Sequence, residues 1–361
     1  MRVISNPHRG KGLPDQEGLE CGSIITNPQS AMALIAQCPV AHTTPLLSKP
    51  EIAHQLGISQ LYIKDERSRM GLGSFKALGA AFAIAKQATA RWEKCPEIPI
   101  ESVLKETTFV CASAGNHGLS MAAGARVFGS TAVVYLSESV PDSFADKLKS
   151  KGAVVKRAGA NYEASMAAAR KAAHDNGWQL LSDSSWLGYS SPARDVMEGY
   201  LIMGAELSGQ IKEAPSHIFL QAGVGGLAAA AAAMSRRLWQ HAPKIIIVEP
   251  ESAPCLIDSI EAAKPIHAKG EVSNMGRLDC KEPSHLALRY LAEEADYFMT
   301  ISDEFADKTC RWLAQHNLDS TPSGIAGLAG LKMLREANDL TSLDEEASVL
   351  TFLSEEATDN A

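Results

Sequence analysis

The sequence predicts an α/β protein, with a parallel sheet carrying helices on both faces. Two observations carry that prediction. Short strand-like runs alternate with longer helical patterns over most of the chain. Several of those runs end in glycine-containing turns that lead into a helix, as at 71–76, 113–118 and 223–226. The length agrees, because 361 residues suffice for two domains and a large core. A content of 45% hydrophobic and 21% charged residues is ordinary globular composition.

In chain order, residues 1–30 are rich in Gly, Pro, Asn and Asp and lack periodicity. They read as an irregular arm that wraps the body or a partner subunit. A short helix over 29–37 stops before Pro39. The stretch from His42 to Leu46 is a turn, 50–56 a helix closed by Gly57, and 61–64 a strand. Residues 74–91 are helical and alanine-rich, and Gly79 within them implies close approach to another backbone. Strands at 108–112, 131–136 and 153–156 then alternate with helices at 119–128, 143–151 and 162–176. After a polar stretch, 182–191, come a helix at 192–208, a strand at 218–221, a helix at 227–241 and a strand at 244–248. Residues 264–283 are irregular. A strand at 297–301, helices at 303–317 and 324–337 and a last strand at 349–353 complete the pattern.

Composition excludes several classes of function. The net charge of −8 and the lack of a long basic run argue against nucleic acid and anionic membranes as partners. Seven cysteines, an odd number with no Cys-x-x-Cys pair, argue against a disulfide framework and a zinc site. They suit the cytoplasm, as does an N-terminus without the apolar core of a signal peptide. The longest apolar run, near 227–234, is mostly alanine and too short to span a bilayer.

Ligands of open parallel sheets bind at the C-terminal ends of the strands, so the loops there hold the candidate residues. Lys76 follows two glycines and opens a helical pattern, where a second cation is disfavoured. It is either a solvated surface lysine or, with a lowered pKa, a nucleophile suited to Schiff-base chemistry. In Ser113-Ala114-Gly115-Asn116-His117-Gly118, backbone amides with Ser113 and Asn116 suit a carboxylate. His117 has no Asp or Cys partner in sequence and is either a base or a structural residue. Gly223-Val224-Gly225-Gly226 lets backbone N–H groups and a helix end approach a phosphate. On this loop alone a dinucleotide site stays open, since Ala228 is tolerated and Glu249 ends the next strand. A nucleotide P-loop is excluded, because no Gly-Lys-Ser/Thr follows. Asp183 is a lone carboxylate in a polar loop, either a turn residue or an acid.

Together these loops resemble the tryptophan-synthase-β-like superfamily of pyridoxal-phosphate enzymes, called fold type II. The closest likeness is to diaminopropionate ammonia-lyases, with threonine and serine dehydratases as wider neighbours. The resemblance covers about residues 40–359 and rests on four loops matching in order. These are Thr44-Pro45-Leu46 with Lys64-Asp65-Glu66 and Gly73-Ser74-Phe75-Lys76, then 113–118, then Gly223 to Leu227, and the C-terminal Ser354-Glu355-Glu356-Ala357-Thr358-Asp359. Gln221-Ala222-Gly223-Val224-Gly225 and the segment from Ser182 to Tyr189 point to the ammonia-lyase branch.

The resemblance implies two open, largely parallel sheets, each flanked by helices. It implies an N-terminal arm over 1–40, a large cofactor-binding domain from 41–75 and 177–361, and a small domain over 76–176. It implies pyridoxal 5'-phosphate as cofactor, a small amino acid as substrate, no metal, and a homodimer. Lys76 inherits the Schiff-base role and Phe75 lies beside it. Ser113, Ala114, Gly115, Asn116 and His117 inherit the substrate carboxylate, and Asn116 the cofactor's ring oxygen. Gly223, Val224, Gly225, Gly226 and Leu227 inherit its phosphate. Ser354, with Ser323 as second candidate, inherits the ring nitrogen. Where the ammonia-lyases carry an Asp that serves the D-isomer, this chain has Ala114, so a preference for L-substrates is expected. The implied reaction is α,β-elimination through aminoacrylate to a 2-oxo acid and ammonia. Lys76 acts as base in it, and the leaving group takes its proton from the cofactor phosphate or from Asp183, the latter only if its pKa is raised. β-Replacement, racemisation and non-catalytic cofactor binding are the alternatives.

Overall fold

The computed structural model describes residues 1–337 and 343–357. Three early strands, β1 (Val3–Ser5), β2 (Leu46–Ser48) and β3 (Gln60–Asp65), belong to one sheet. The next four, β4 (Thr108–Ala112), β5 (Thr131–Leu136), β6 (Val154–Arg157) and β7 (Gln179–Leu180), form a second sheet in the order β6-β5-β4-β7, parallel throughout. The last four are β8 (His217–Gln221), β9 (Lys244–Pro250), β10 (Tyr297–Ile301) and β11 (Ser348–Leu353). They return to the first sheet, whose order is β1-β10-β9-β8-β11-β3-β2. Only its edge strands β1 and β2 run antiparallel. Two largely parallel sheets flanked by helices are therefore present, as expected.

The central strands are buried end to end, which explains their unbroken apolar sequence; Ile245–Val248 are all 0% exposed. Small residues set the distances between helices. The alanine run 228–233 is buried throughout its helix, Gly226–Trp239. Gly204 in the helix Ser191–Glu206 leaves room for Met234, since a Cβ there would stand 2.4 Å from that residue's Cβ. Gly79 makes a close approach, but to a side chain and not to the backbone expected: a Cβ there would meet the Tyr200 ring at 2.5 Å.

Some elements differ from expectation. The arm does wrap the body, but Val3–Ser5 in it is a strand paired with β10. Asn6 Nδ2 ties the arm down by donating to Ala292 O at 2.8 Å and Ala295 O at 2.6 Å. β2 takes up the end of the turn expected at 42–46. β7 pairs with β4, so the second sheet takes strands from 108–180, the last of them beyond residue 176. Helices Cys255–Ala262 and His285–Glu294 are additional. Glu249 receives the amides of Leu256 and Ile257 at 2.7 and 2.8 Å, capping the first of these helices. That carboxylate is fully buried and unable to read a ribose, which removes the dinucleotide reading. No helix among the described residues is long and apolar enough to cross a membrane.

Candidate active site

β3 delivers the lysine segment, and a buried charge network holds it. Arg69 Nη2 donates to Glu66 Oε1 at 2.7 Å and Arg69 Nη1 to Glu206 Oε1 at 2.7 Å, while Lys64 Nζ donates to Glu206 Oε2 at 2.6 Å. Groups this buried must be paired, and the pairing ties the turn after β3 to helix Ser191–Glu206. Gly73, at φ 76°, then turns the chain where a Cβ would strike the Glu356 carboxylate. Ser74 Oγ accepts the Lys76 amide at 3.1 Å, opening a 3-10 turn, Phe75–Leu78, in place of the first turn of the expected α-helix. Phe75 N donates to Ser354 O at 3.1 Å, so the turn is also fastened to the end of β11.

Lys76 Nζ forms an ion pair with Asp183 Oδ2, each side chain about a fifth exposed (21% and 20%). The Phe75 and Tyr200 rings flank the ammonium, their centroids 5.4 and 5.7 Å away. Here two expectations are corrected. Burial pulls the Lys76 pKa down, but Asp183 outweighs it, and the net shift is upward. Burial pushes Asp183 up, but Lys76 and then His117 outweigh it, and its pKa lies well below the usual carboxylate range. Each is the other's counter-ion, so both are charged while the lysine is free.

β4 delivers the loop 113–118. Ser113 Oγ accepts the amides of Gly115 and Gly118 at 3.2 and 3.1 Å, so it braces the loop from inside. Helix Asn116–Val127 starts directly after Gly115, and the first-turn amides of a helix favour an anion. His117 is buried, with Nε2 bonded to Leu181 O at 2.8 Å. Burial holds its pKa down, and Nδ1 has no hydrogen-bond partner among the described residues. Asn116 Nδ2 donates to Glu355 Oε2 at 2.6 Å.

β8 delivers the glycine loop. A Cβ at Gly223 would stand 2.9 Å from Cys280 Sγ and 3.1 Å from Leu278 Cα, so that position tolerates only glycine. Gly225 has φ 98° and precedes Gly226 and Leu227 in the first turn of the buried helix. Val224 O accepts the Ser284 amide at 2.9 Å. The Asp183 carbonyl lies 3.9 Å from the Cβ position of Gly226, which brings the acid's loop against the cradle. Ser323 and Ser354 are both buried near Gly324. Ser323 Oγ accepts the Arg277 amide at 3.1 Å, and Ser354 N donates to Gly324 O at 3.1 Å.

Three contributors were not legible as site residues. Tyr200 lies mid-helix, where nothing distinguishes it from a core aromatic. Arg277 sits in an aperiodic stretch. Glu355 was visible only as part of the C-terminal motif. It is buried, takes the Thr321 hydroxyl as well as Asn116, and lies 3.7 Å from Arg277 Nε. Burial pushes its pKa up. Thr358 and Asp359 of that motif lie outside the described residues.

A lysine beside an anion cradle at the strand ends of two sheets is the arrangement of an enzyme that holds a phosphorylated carbonyl compound. A model of the family described as pyridoxal-phosphate dependent enzymes matches residues 39–355, and the chain belongs to that family. Diaminopropionate ammonia-lyase of Salmonella typhimurium is 30% identical over 355 residues, 90% of this chain and 87% of that one. A biosynthetic L-threonine dehydratase of Pasteurella multocida is 26% identical over 302 residues, 81% of this chain and 53% of that one. Among solved structures, Escherichia coli diaminopropionate ammonia-lyase in complex with an aminoacrylate–PLP azomethine reaction intermediate superimposes with a TM-score of 0.85. It is 26% identical over 99% of this chain and 94% of that one. Pyridoxal 5'-phosphate is therefore the cofactor, and the residues fit it: an amine for its aldehyde and a glycine-rich cradle at a helix start for its phosphate.

Proposed function

We propose that the chain eliminates a β-substituent from a small L-amino acid, releasing ammonia and a 2-oxo acid by way of aminoacrylate. The observation that carries this is the direct Lys76–Asp183 contact beside the glycine cradle. Bound there, pyridoxal phosphate supplies an electron sink for charge developing at Cα. The amides of Ala114, Asn116 and His117 hold the substrate carboxylate, which orients the Cα–H bond. Lys76 Nζ, once neutral, takes the Cα proton. Asp183 Oδ2, in contact with it, receives that proton and passes it to the leaving group. With its low pKa Asp183 holds that proton only in passing, so it relays the proton between Lys76 and the leaving group and does not store one. The loop around 275–280 packs against Gly223 of the glycine cradle.

We assign the phosphate to Gly223–Leu227, the ring oxygen to Asn116 and the ring nitrogen to Ser354, because Ser323 Oγ already accepts the Arg277 amide. The division into an arm (1–40), a large domain (41–75, 177–361) and a small domain (76–176) is supported by the separate sheets, except that β7 carries the small domain's sheet on to residue 180. Exposed Met32 and Val40 in the segment 24–40 support a homodimer, checked by light scattering. Seven free thiols support a cytoplasmic location.

The test of the reaction is release of pyruvate or 2-oxobutyrate from a panel of both enantiomers of diaminopropionate, serine and threonine. Lys76→Ala should lose turnover by roughly 10³-fold or more and lose the absorbance band that borohydride bleaches. Full activity in that variant would sink the proposal.

A further inference from the structure

One charged group of the site has no task in the reaction above. Arg277 lies on the irregular loop that covers both cradles, its carbonyl 3.2 Å from the Cβ position of Gly223. Its side chain folds over the carboxylate loop, where a Cβ on Gly115 would stand 3.3 Å from its Cδ and 3.4 Å from its Nε. Nη1 makes a long bond to Ala114 O, 3.4 Å, and Nε faces Glu355 at 3.7 Å. A guanidinium carries five N–H donors, so most of the fork is left over, and Nη2 has no partner among the described residues. The side chain is 37% exposed, at the mouth of the cleft.

The acids nearby are committed. Asp183 pairs with Lys76, and Glu355 takes Thr321 at Oε1 and Asn116 at Oε2, the oxygen that also faces Arg277 Nε. A cationic substrate side chain entering here meets a guanidinium and no available carboxylate. An anionic one meets a planar fork suited to bidentate carboxylate binding. The fork also stands beside Gly115 and Ala114, whose amide is one of those assigned to the α-carboxylate, so a second carboxylate on the same small molecule comes within its reach.

We propose that Arg277 is a specificity-determining residue that binds a carboxylate on the substrate side chain. The preferred substrates are then 2-amino dicarboxylic acids with a leaving group on Cβ, of which 3-hydroxyaspartate is the simplest. This rests on the elimination reading. The Cα–H bond breaks toward Lys76 and the Cβ–O bond breaks as the oxygen leaves as water. The enamine then gains a proton at Cβ, and one water adds at the imine carbon to expel ammonia. One water leaves and one enters, the products are oxaloacetate and ammonia, and no oxidant or reductant is required.

The experiment compares kcat/KM for 3-hydroxyaspartate, serine and diaminopropionate in the wild type, Arg277→Gln and Arg277→Lys. It adds equilibrium binding of L-aspartate and L-alanine, read from the holoenzyme's absorbance. The wild type should favour 3-hydroxyaspartate. Arg277→Gln should lower its kcat/KM roughly tenfold or more, chiefly through KM, with a smaller loss on serine, and Arg277→Lys should fall between. Aspartate should bind more tightly than alanine only while residue 277 is cationic. A wild-type preference for diaminopropionate, or an equal loss on all substrates, overturns the role of Arg277 and leaves elimination standing. If no substrate releases ammonia, elimination itself has failed. The aspartate–alanine difference then still decides whether Arg277 reads a carboxylate.

Discussion

Lys76 is recognisable in the sequence by its position, but its electrostatics are set by a residue 107 positions away. The free lysine is held protonated because Asp183 overcomes burial. Removing Asp183 should therefore lower the Lys76 pKa, moving the pH midpoint for acylation of the cofactor-free protein downward. An unchanged midpoint in Asp183→Asn would show that the pair is not coupled. The same variant separates two roles in the holoenzyme. If Asp183 carries the proton to the leaving group, elimination slows far more than α-proton exchange in deuterated water. Equal slowing would leave Asp183 a merely structural partner. His117, which sequence left open between base and structural residue, gives its Nε2 to a backbone carbonyl. Ser113, expected to face the substrate, spends its oxygen on its own loop.

The elements that present the site are short loops under tight steric control. Gly223→Ala would press a methyl group onto the Leu278 backbone, at a cost of about 1–3 kcal/mol. Cofactor affinity should fall accordingly, as measured by dialysis against pyridoxal phosphate, and unchanged affinity would mean that the covering loop yields freely. Glu249 offers a pH test at the next strand. Burial pushes its pKa from 4.5 up to about 8 despite the two helix amides it accepts. The folded protein then keeps a proton there that the unfolded chain has released. Stability should fall as pH rises from about 4.5 toward 8, and Glu249→Gln should flatten that slope in thermal melts. Strands and helices of the rhythmic part were legible because each carries its own period; β5 and the helix Tyr162–Asn176 lie where the pattern puts them. β1, β2 and β7 were not, because strands of two or three residues have no period and exist only through their partners. Arg277 and Glu355 were hidden for a related reason: their roles come from meeting each other across 78 residues, which no local pattern records.

For the whole molecule, the large sheet is assembled out of sequence order. β11 lies between β3 and β8 and is parallel to both. Ribosomal synthesis delivers it after the other six strands, into the interior of the sheet. Until it inserts, β3 and β8 present open edges, which are templates for wrong pairing. The lysine turn is equally unfinished, since Phe75 awaits the carbonyl of Ser354 and Asn116 awaits Glu355. Refolding monitored by cofactor fluorescence should therefore show no binding in its early phases and a single late step. A chain cut before residue 345 should bind no pyridoxal phosphate and should be digested rapidly by protease. The consequence is a form of timing control: catalytic competence appears only after β11 has been made, so chains that stop short of it cannot sequester the cofactor or release ammonia.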